Sequence, residues 1–233
     1  QIQFNFSSIN QSGGGFMEMS KDNRNYLILN EILNAVTHGI ALGFSIAGLV
    51  VLLVKGAQLG SPVHIVSYAI YGSMMILLFL FSTLFHSLMF TRARTVFQVF
   101  DHSSIFLLIA GSYTPFCLIS IQGWLGWTLF VFIWLIAIAG IIYKSLTLHQ
   151  KEPNPKISTM IYIVMGWLCL IAFYPLVQSL GVRGTALLAS GGIAYTFGTI
   201  FYRLKNVHFM HVVWHLFVML GAGLIYFSIL LYT

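Results

Sequence analysis

The stretch HFMHVVWHLF carries His211 and His215 four residues apart. On a helix this spacing puts both imidazoles on one face, about 40° from each other. A third imidazole, His86 in FSTLFHSLMF, and a carboxylate, Asp101 in FQVFDHSSIF, stand near the ends of two other apolar runs. Three neutral imidazoles suit zinc, which in catalytic sites takes three protein ligands and leaves a fourth tetrahedral position to water. His86, His211 and His215 are therefore the candidate metal ligands, with Asp101 as the general base or as an orienting partner of that water. Ser82, one turn before His86, is the second candidate catalytic residue and would steady the water or an oxyanion. That is a hydrolase arrangement. Copper, nickel or cobalt would accept the same donors, and the same residues also fit a plainer reading as polar side chains that satisfy one another in a core. Residue type and spacing leave these readings open.

Other polar residues weigh less. His208 shares nearly the same face as His211 and His215 but neighbours Lys205, where a solvated histidine is expected; His102 points about 100° away from Asp101. Glu31, Asn34 and His38 in NEILNAVTHGI share one face of a first helix. They either hydrogen-bond the site or anchor an interfacial first turn, the latter being preferred for Glu31. His64 and His149 fall at loop edges. In AGSYTPF, Pro115 should kink or end its helix while Ser112, Tyr113 and Thr114 satisfy the freed backbone groups.

The elements that must position these residues are membrane spans. Only 7% of the 233 residues are charged and 58% are hydrophobic, against about 25% charged in a soluble domain, too few to cover a water-facing surface. Apolar runs of about 20 residues, enough to cross a bilayer, recur near 32–54, 63–88, 96–119, 124–144, 158–180, 184–203 and 209–231. Their continuous apolar character predicts helices rather than barrel strands. The expected fold is all-α, a seven-helix transmembrane bundle over residues 27–233. Residues 1–26 are expected to be a disordered or artificial tail, with Met17 or Met19 as the natural start and no signal peptide.

Lys21, Arg24, Arg92, Arg94, Lys144, Lys151, Lys156, Arg203 and Lys205 fall on one side of this topology, and only Lys55 and Arg183 on the other. The positive-inside rule then predicts a cytoplasmic N-terminus, an extracytoplasmic C-terminus and a site near the cytoplasmic face of the cell membrane. The net charge of +6 forms no stripe, so nucleic acid is not expected as a partner. Cys117 and Cys169 lie inside apolar runs and make no disulfide framework.

The combination of Glu31, Asn34 and His38 (E-x-x-N-x-x-x-H), Ser82 and His86 (S-x-x-x-H), DHSSIFLLIAGSYTPF from Asp101, and His211 with His215 resembles the progestin and adipoQ receptor family, specifically its bacterial haemolysin III-like branch. The likeness covers about residues 27–231. It implies seven helices with the N-terminus inside, zinc on His86, His211 and His215, and an aspartate at position 101 that reaches zinc through water. Eukaryotic relatives are similar to ceramidases, which cleave a lipid amide. The long N-terminal domain of the animal receptors is not expected here, so hormone binding is not carried over.

The expected function is that of a zinc-dependent membrane hydrolase of a lipid amide or ester, ceramidase-like, with a role in membrane lipid homeostasis and membrane lipids, a lipid amide or a fatty acid in the bundle cavity. The alternatives are a non-enzymatic membrane sensor with structural zinc, and a haemolysin III-type cytolysin. The last fits poorly with a chain that is apolar throughout. A retinal protein is excluded because the last helix has no Lys for a Schiff base.

Overall fold

The computed structural model describes residues 21–147, 155–204 and 206–233. The first twenty residues of the expected tail, with Lys151, Lys205 and His149, lie outside the described residues. Among the described residues every regular element is helical. The helices are α1 (Lys21–Gln58), α2 (Pro62–Ser87), α3 (Ala93–Pro115), α4 (Gly123–Thr147), α5 (Pro155–Trp167), α6 (Phe173–Arg203) and α7 (Met210–Tyr232).

Six segments among the described residues are long and apolar enough to cross a membrane: Arg24–Gln58, Pro62–Ser87, Ala93–Ile121, Gly123–Thr147, Ile157–Arg203 and Met210–Tyr232. The molecule keeps an apolar core but differs from a water-soluble domain in its outer surface. Phe44, Phe90, Trp124 and Leu135 face outward, while Asn34, His38, His86, Lys144 and His215 are buried. Apolar residues on the outside and polar groups within are what a hydrocarbon solvent selects. The protein is an integral, multi-pass membrane protein.

The segment Ile157–Arg203 has 47 residues, more than twice what one span needs. It is interrupted by a 3₁₀ stretch, Leu168–Ala172, and by Gly181 at φ 64°, ψ 178°, a region of backbone space open essentially to glycine alone. Trp167 Nε1 donates to Thr196 Oγ1 at 3.0 Å. Twenty-nine residues of unbroken helix would hold these groups roughly 44 Å apart, so the segment is not a straight rod.

The boundaries of α1 and α3 compare with the sequence expectation in different ways. α1 begins at Lys21, six residues before the expected start of the domain at 27. Its apolar run marks only the part in hydrocarbon, and helix continues beyond that run. At Pro115 the α-helix ends, as expected, and the chain continues as a π-helix over Phe116–Ile121. Ser112 and Thr114 donate to the carbonyls of Ile109 and Ala110, satisfying groups in their own helix as expected. Tyr113 reaches further. Its hydroxyl lies 2.8 and 2.9 Å from the Met165 and Gly166 carbonyls and accepts from the Cys169 N–H at 2.7 Å. One side chain of α3 thereby satisfies the backbone where α5 passes into the 3₁₀ stretch.

Candidate metal centre

His86 occupies the last turn of α2, and His211 and His215 open α7. Donor atoms of these three residues lie within 4.8 Å of one another, a group that could hold a metal ion. The sequence-derived ligand triad is thus brought together from two helices. α7 is set by Phe209, a non-glycine residue in the left-handed region at φ 61°, whose N–H donates to the Tyr26 hydroxyl at 3.3 Å. Tyr26 also packs edge-on against the Phe209 and His208 rings.

The residues present fit a metal. His86 Nδ1 lies 2.6 Å from Glu31 Oε2, and a carboxylate accepts, so Nδ1 carries the proton and Nε2 keeps its lone pair. His86 Nε2 is buried and has no hydrogen-bond partner among the described residues. A buried imidazole nitrogen left as a bare acceptor, with two other imidazoles beside it, has the donor chemistry of a zinc-type ligand.

Glu31 is the residue whose role sequence reasoning placed elsewhere. It does not serve as a first-turn anchor: one oxygen holds His86 and the other accepts from Arg94 Nη2 at 2.9 Å. Arg94, one of the cations that mark the topology, is thus a partner of Glu31, a pairing that no feature of the sequence marks. His38 also joins the site. Its ring stacks on His215 with centroids 3.6 Å apart and planes 10° apart, and neither of its nitrogens has a hydrogen-bond partner among the described residues. The shared face of Glu31, Asn34 and His38 was the signal that pointed to both residues.

Asp101 and Ser82 are not among the three grouped ligands, but both line the cavity that the histidines face. Ser82 is buried one turn before His86. Asp101 is partly open, with Oδ2 3.7 Å from His102 Nδ1. His102 Nδ1 is 2.8 Å from the Gln98 carbonyl, and His208 is exposed; neither belongs to the ligand group.

The cavity has a volume of about 1210 Å³ and runs from Arg24, Arg94 and the histidines to Phe116, Ile121 and Leu176. Pockets for small molecules span about 300–1,000 Å³, and this one is larger. Its histidine end carries polar groups, and Phe116, Ile121 and Leu176 line it further off.

Comparison with known proteins places the chain in a family. Residues 26–226 match the family described as Haemolysin-III related. The chain is 44% identical to Hemolysin-3 of Bacillus cereus over 206 residues, covering 88% of this chain and 93% of that protein. It is also 44% identical to the Hemolysin-3 homolog of Bacillus subtilis (strain 168), over 89% of this chain and 96% of the relative. The human monocyte to macrophage differentiation factor is 32% identical over 166 residues, 69% of this chain and 67% of that protein. With the resemblance read from Glu31, His86, Asp101 and the paired histidines now matched along most of its length, the chain belongs to the haemolysin-III-related family.

Proposed function

We propose that the protein is a zinc-dependent hydrolase of a lipid amide or ester, acting on membrane lipids with a role in membrane lipid homeostasis. The observation that carries this reading is the grouping of His86, His211 and His215 at the polar end of a lipid-sized cavity. A zinc ion held there supplies a Lewis acid that polarises a carbonyl and acidifies water. Glu31 fixes the proton of His86 on Nδ1 and so presents Nε2 as a ligand. Asp101 takes the proton of a water that attacks the scissile carbonyl and returns it to the departing amine or alcohol. Ser82 donates a hydrogen bond to the carbonyl oxygen as negative charge develops on it. The apolar walls hold the acyl chain and exclude bulk water. The relatives are named as hemolysins; cleavage of bilayer lipid is compatible with such a name.

We also read the bundle as seven spans, taking Ile157–Arg203 as two helices joined at Gly181. The bias of Lys and Arg toward the histidine end supports a cytoplasmic N-terminus and site, with the C-terminus outside the cell membrane.

Metal content of the purified protein beside His211→Ala, followed by lipid-amide and lipid-ester hydrolysis with wild type and Asp101→Ala, tests the reading. About one zinc per chain, lost in the histidine variant, with turnover lost in the aspartate variant, is expected. A folded wild type that binds no zinc overturns the site. Zinc without turnover of either lipid class overturns the hydrolase and leaves zinc as a clamp between α2 and α7.

A further inference from the structure

We propose that Asn30, Asn34 and His38 of α1 hold a file of bound water along one wall of the cavity, leading from its open end to the metal ligands. The proposal rests on the hydrolase reading only in giving that water a use as reactant. The three residues are spaced by four, so they form one stripe about 12 Å long on the helix, and all three line the cavity. Asn34 has no exposed surface and His38 is 3% exposed. Asn30 Oδ1, both polar side-chain atoms of Asn34 and both ring nitrogens of His38 are buried without a hydrogen-bond partner among the described residues. His215 Nδ1, in a ligand ring, is left in the same way. The oxygens of neighbouring Glu31 are turned instead to His86 and Arg94. Buried polar groups are hydrogen-bonded with few exceptions, so this many along one face of one helix point to a ligand that bonds them.

Their chemistry selects water. The Asn34 carboxamide offers N–H donors and an acceptor oxygen, and a neutral imidazole one donor and one acceptor. An acyl chain returns nothing to either. Water both donates and accepts, and in protein interiors it makes about three hydrogen bonds to groups of this kind.

The stripe also joins solvent to the site. Tyr26, one turn before Asn30, lines the cavity and packs 4.1 Å from the ring of exposed His208. Its hydroxyl accepts from the Phe209 N–H, just before α7. About three turns deeper in α1, His38 stacks on His215. Asn30 and Asn34 stand between these two contacts, so the stripe runs beside the opening turns of α7 that carry His211 and His215. A lipid in the cavity closes the wide approach to its linkage, and hydrolysis consumes one water per bond cleaved. Water held along α1 would reach the ligands with the lipid in place.

The test is radiolytic labelling of the full purified chain in nonionic detergent. Millisecond X-ray pulses generate hydroxyl radicals from water, and oxidation of each side chain is read by mass spectrometry relative to its own rate in the unfolded chain. His38 should be labelled at least fivefold faster than Phe106, which has no exposed surface and lies outside the cavity lining. Asn34→Leu should slow His38 at least threefold and leave Tyr26 unchanged, whereas Asn34→Ser, which keeps a hydroxyl, should retain the labelling. His38 labelled no faster than Phe106, or unaffected by Asn34→Leu, overturns the file. Should Asn34→Leu fail to fold, Asn30→Leu takes its place with the same two outcomes. A non-hydrolysable ether lipid, at a concentration that protects Tyr195 of the cavity wall, should leave His38 labelled; protection of both assigns the stripe to lipid and overturns the file. In a protein that turns over lipid, Asn34→Leu should also lower kcat at least tenfold with KM within twofold and zinc content unchanged. A labelled file in a protein that hydrolyses nothing keeps the file and removes the hydrolase, whereas hydrolysis with His38 unlabelled does the reverse.

Discussion

Replacing Glu31 by alanine should weaken zinc binding 10- to 100-fold, the usual consequence of removing a carboxylate that orients a ligand histidine, or about 1.4–2.7 kcal/mol. The structure gives the reason. Glu31 accepts from His86 Nδ1 at 2.6 Å and from Arg94 at 2.9 Å, so its loss frees the imidazole to rotate and to place its proton on the ligating nitrogen. Glu31→Gln should fall between alanine and wild type, because an amide oxygen still accepts from Nδ1–H but without the charge that roughly doubles such a bond. Arg94→Met should matter least, under about threefold, since that side chain is 30% exposed and partly exposed ion pairs contribute little. The assay is competition for zinc against a chromophoric chelator, using protein of matched thermal stability. If Glu31→Ala bound zinc as tightly as wild type while His211→Ala bound none, the orienting role of Glu31 would be refuted and the ligand set would survive.

The remaining predictions concern architecture. Tyr113→Phe strips a partner from the Met165 and Gly166 carbonyls and from the Cys169 N–H; at about 1–3 kcal/mol for an unsatisfied buried group, the melting temperature should drop by several degrees, read by a thiol-reactive or tryptophan melt. Gly181→Ala forces a side chain into φ 64°, ψ 178° and should cost about 1–3 kcal/mol. Gly43→Ala, in α1 with open space around it, should leave the melt unchanged or raise it slightly, and equal effects from the two would show that backbone conformation at 181 is not special. His38→Ala removes the ring stacked on His215, and should lower the melting temperature by roughly 5–10 °C with a smaller loss of zinc affinity than Glu31→Ala, measured in the same chelator competition.

What could be read in the sequence follows from what periodicity encodes. Four-residue spacing puts His211 and His215 on one helical face, and the apolar runs bring His86 and Asp101 to a similar depth, which named them as candidates; only the family resemblance favoured a metal over a plain polar core. Partner identity across helices was not legible. Glu31 meets His86 and Arg94 at separations of 55 and 63 residues, and a helical face says which side is polar without saying what it touches. The hydroxyls of Ser112 and Thr114 behaved as local reasoning expects, bonding within their own helix, whereas Tyr113 was long enough to bridge to α5. Pro115 marked the end of the α-helix correctly, but not the π-helix that follows it, because how freed bonds are absorbed at a proline depends on neighbours that a single helix does not specify.

The cavity of about 1210 Å³ also bears on how the fold survives. Space of that size between helices is missing core, and whatever fills it supplies the missing contacts. A ligand present at 100 times its dissociation constant adds about 2.7 kcal/mol to the stability of a folded state that alone binds it, a large share of what holds most domains folded. Lipid here would act as a removable piece of the protein's interior. Its scarcity would thin the folded population before any catalytic rate changed, making the amount of intact protein in the membrane a gauge of lipid supply.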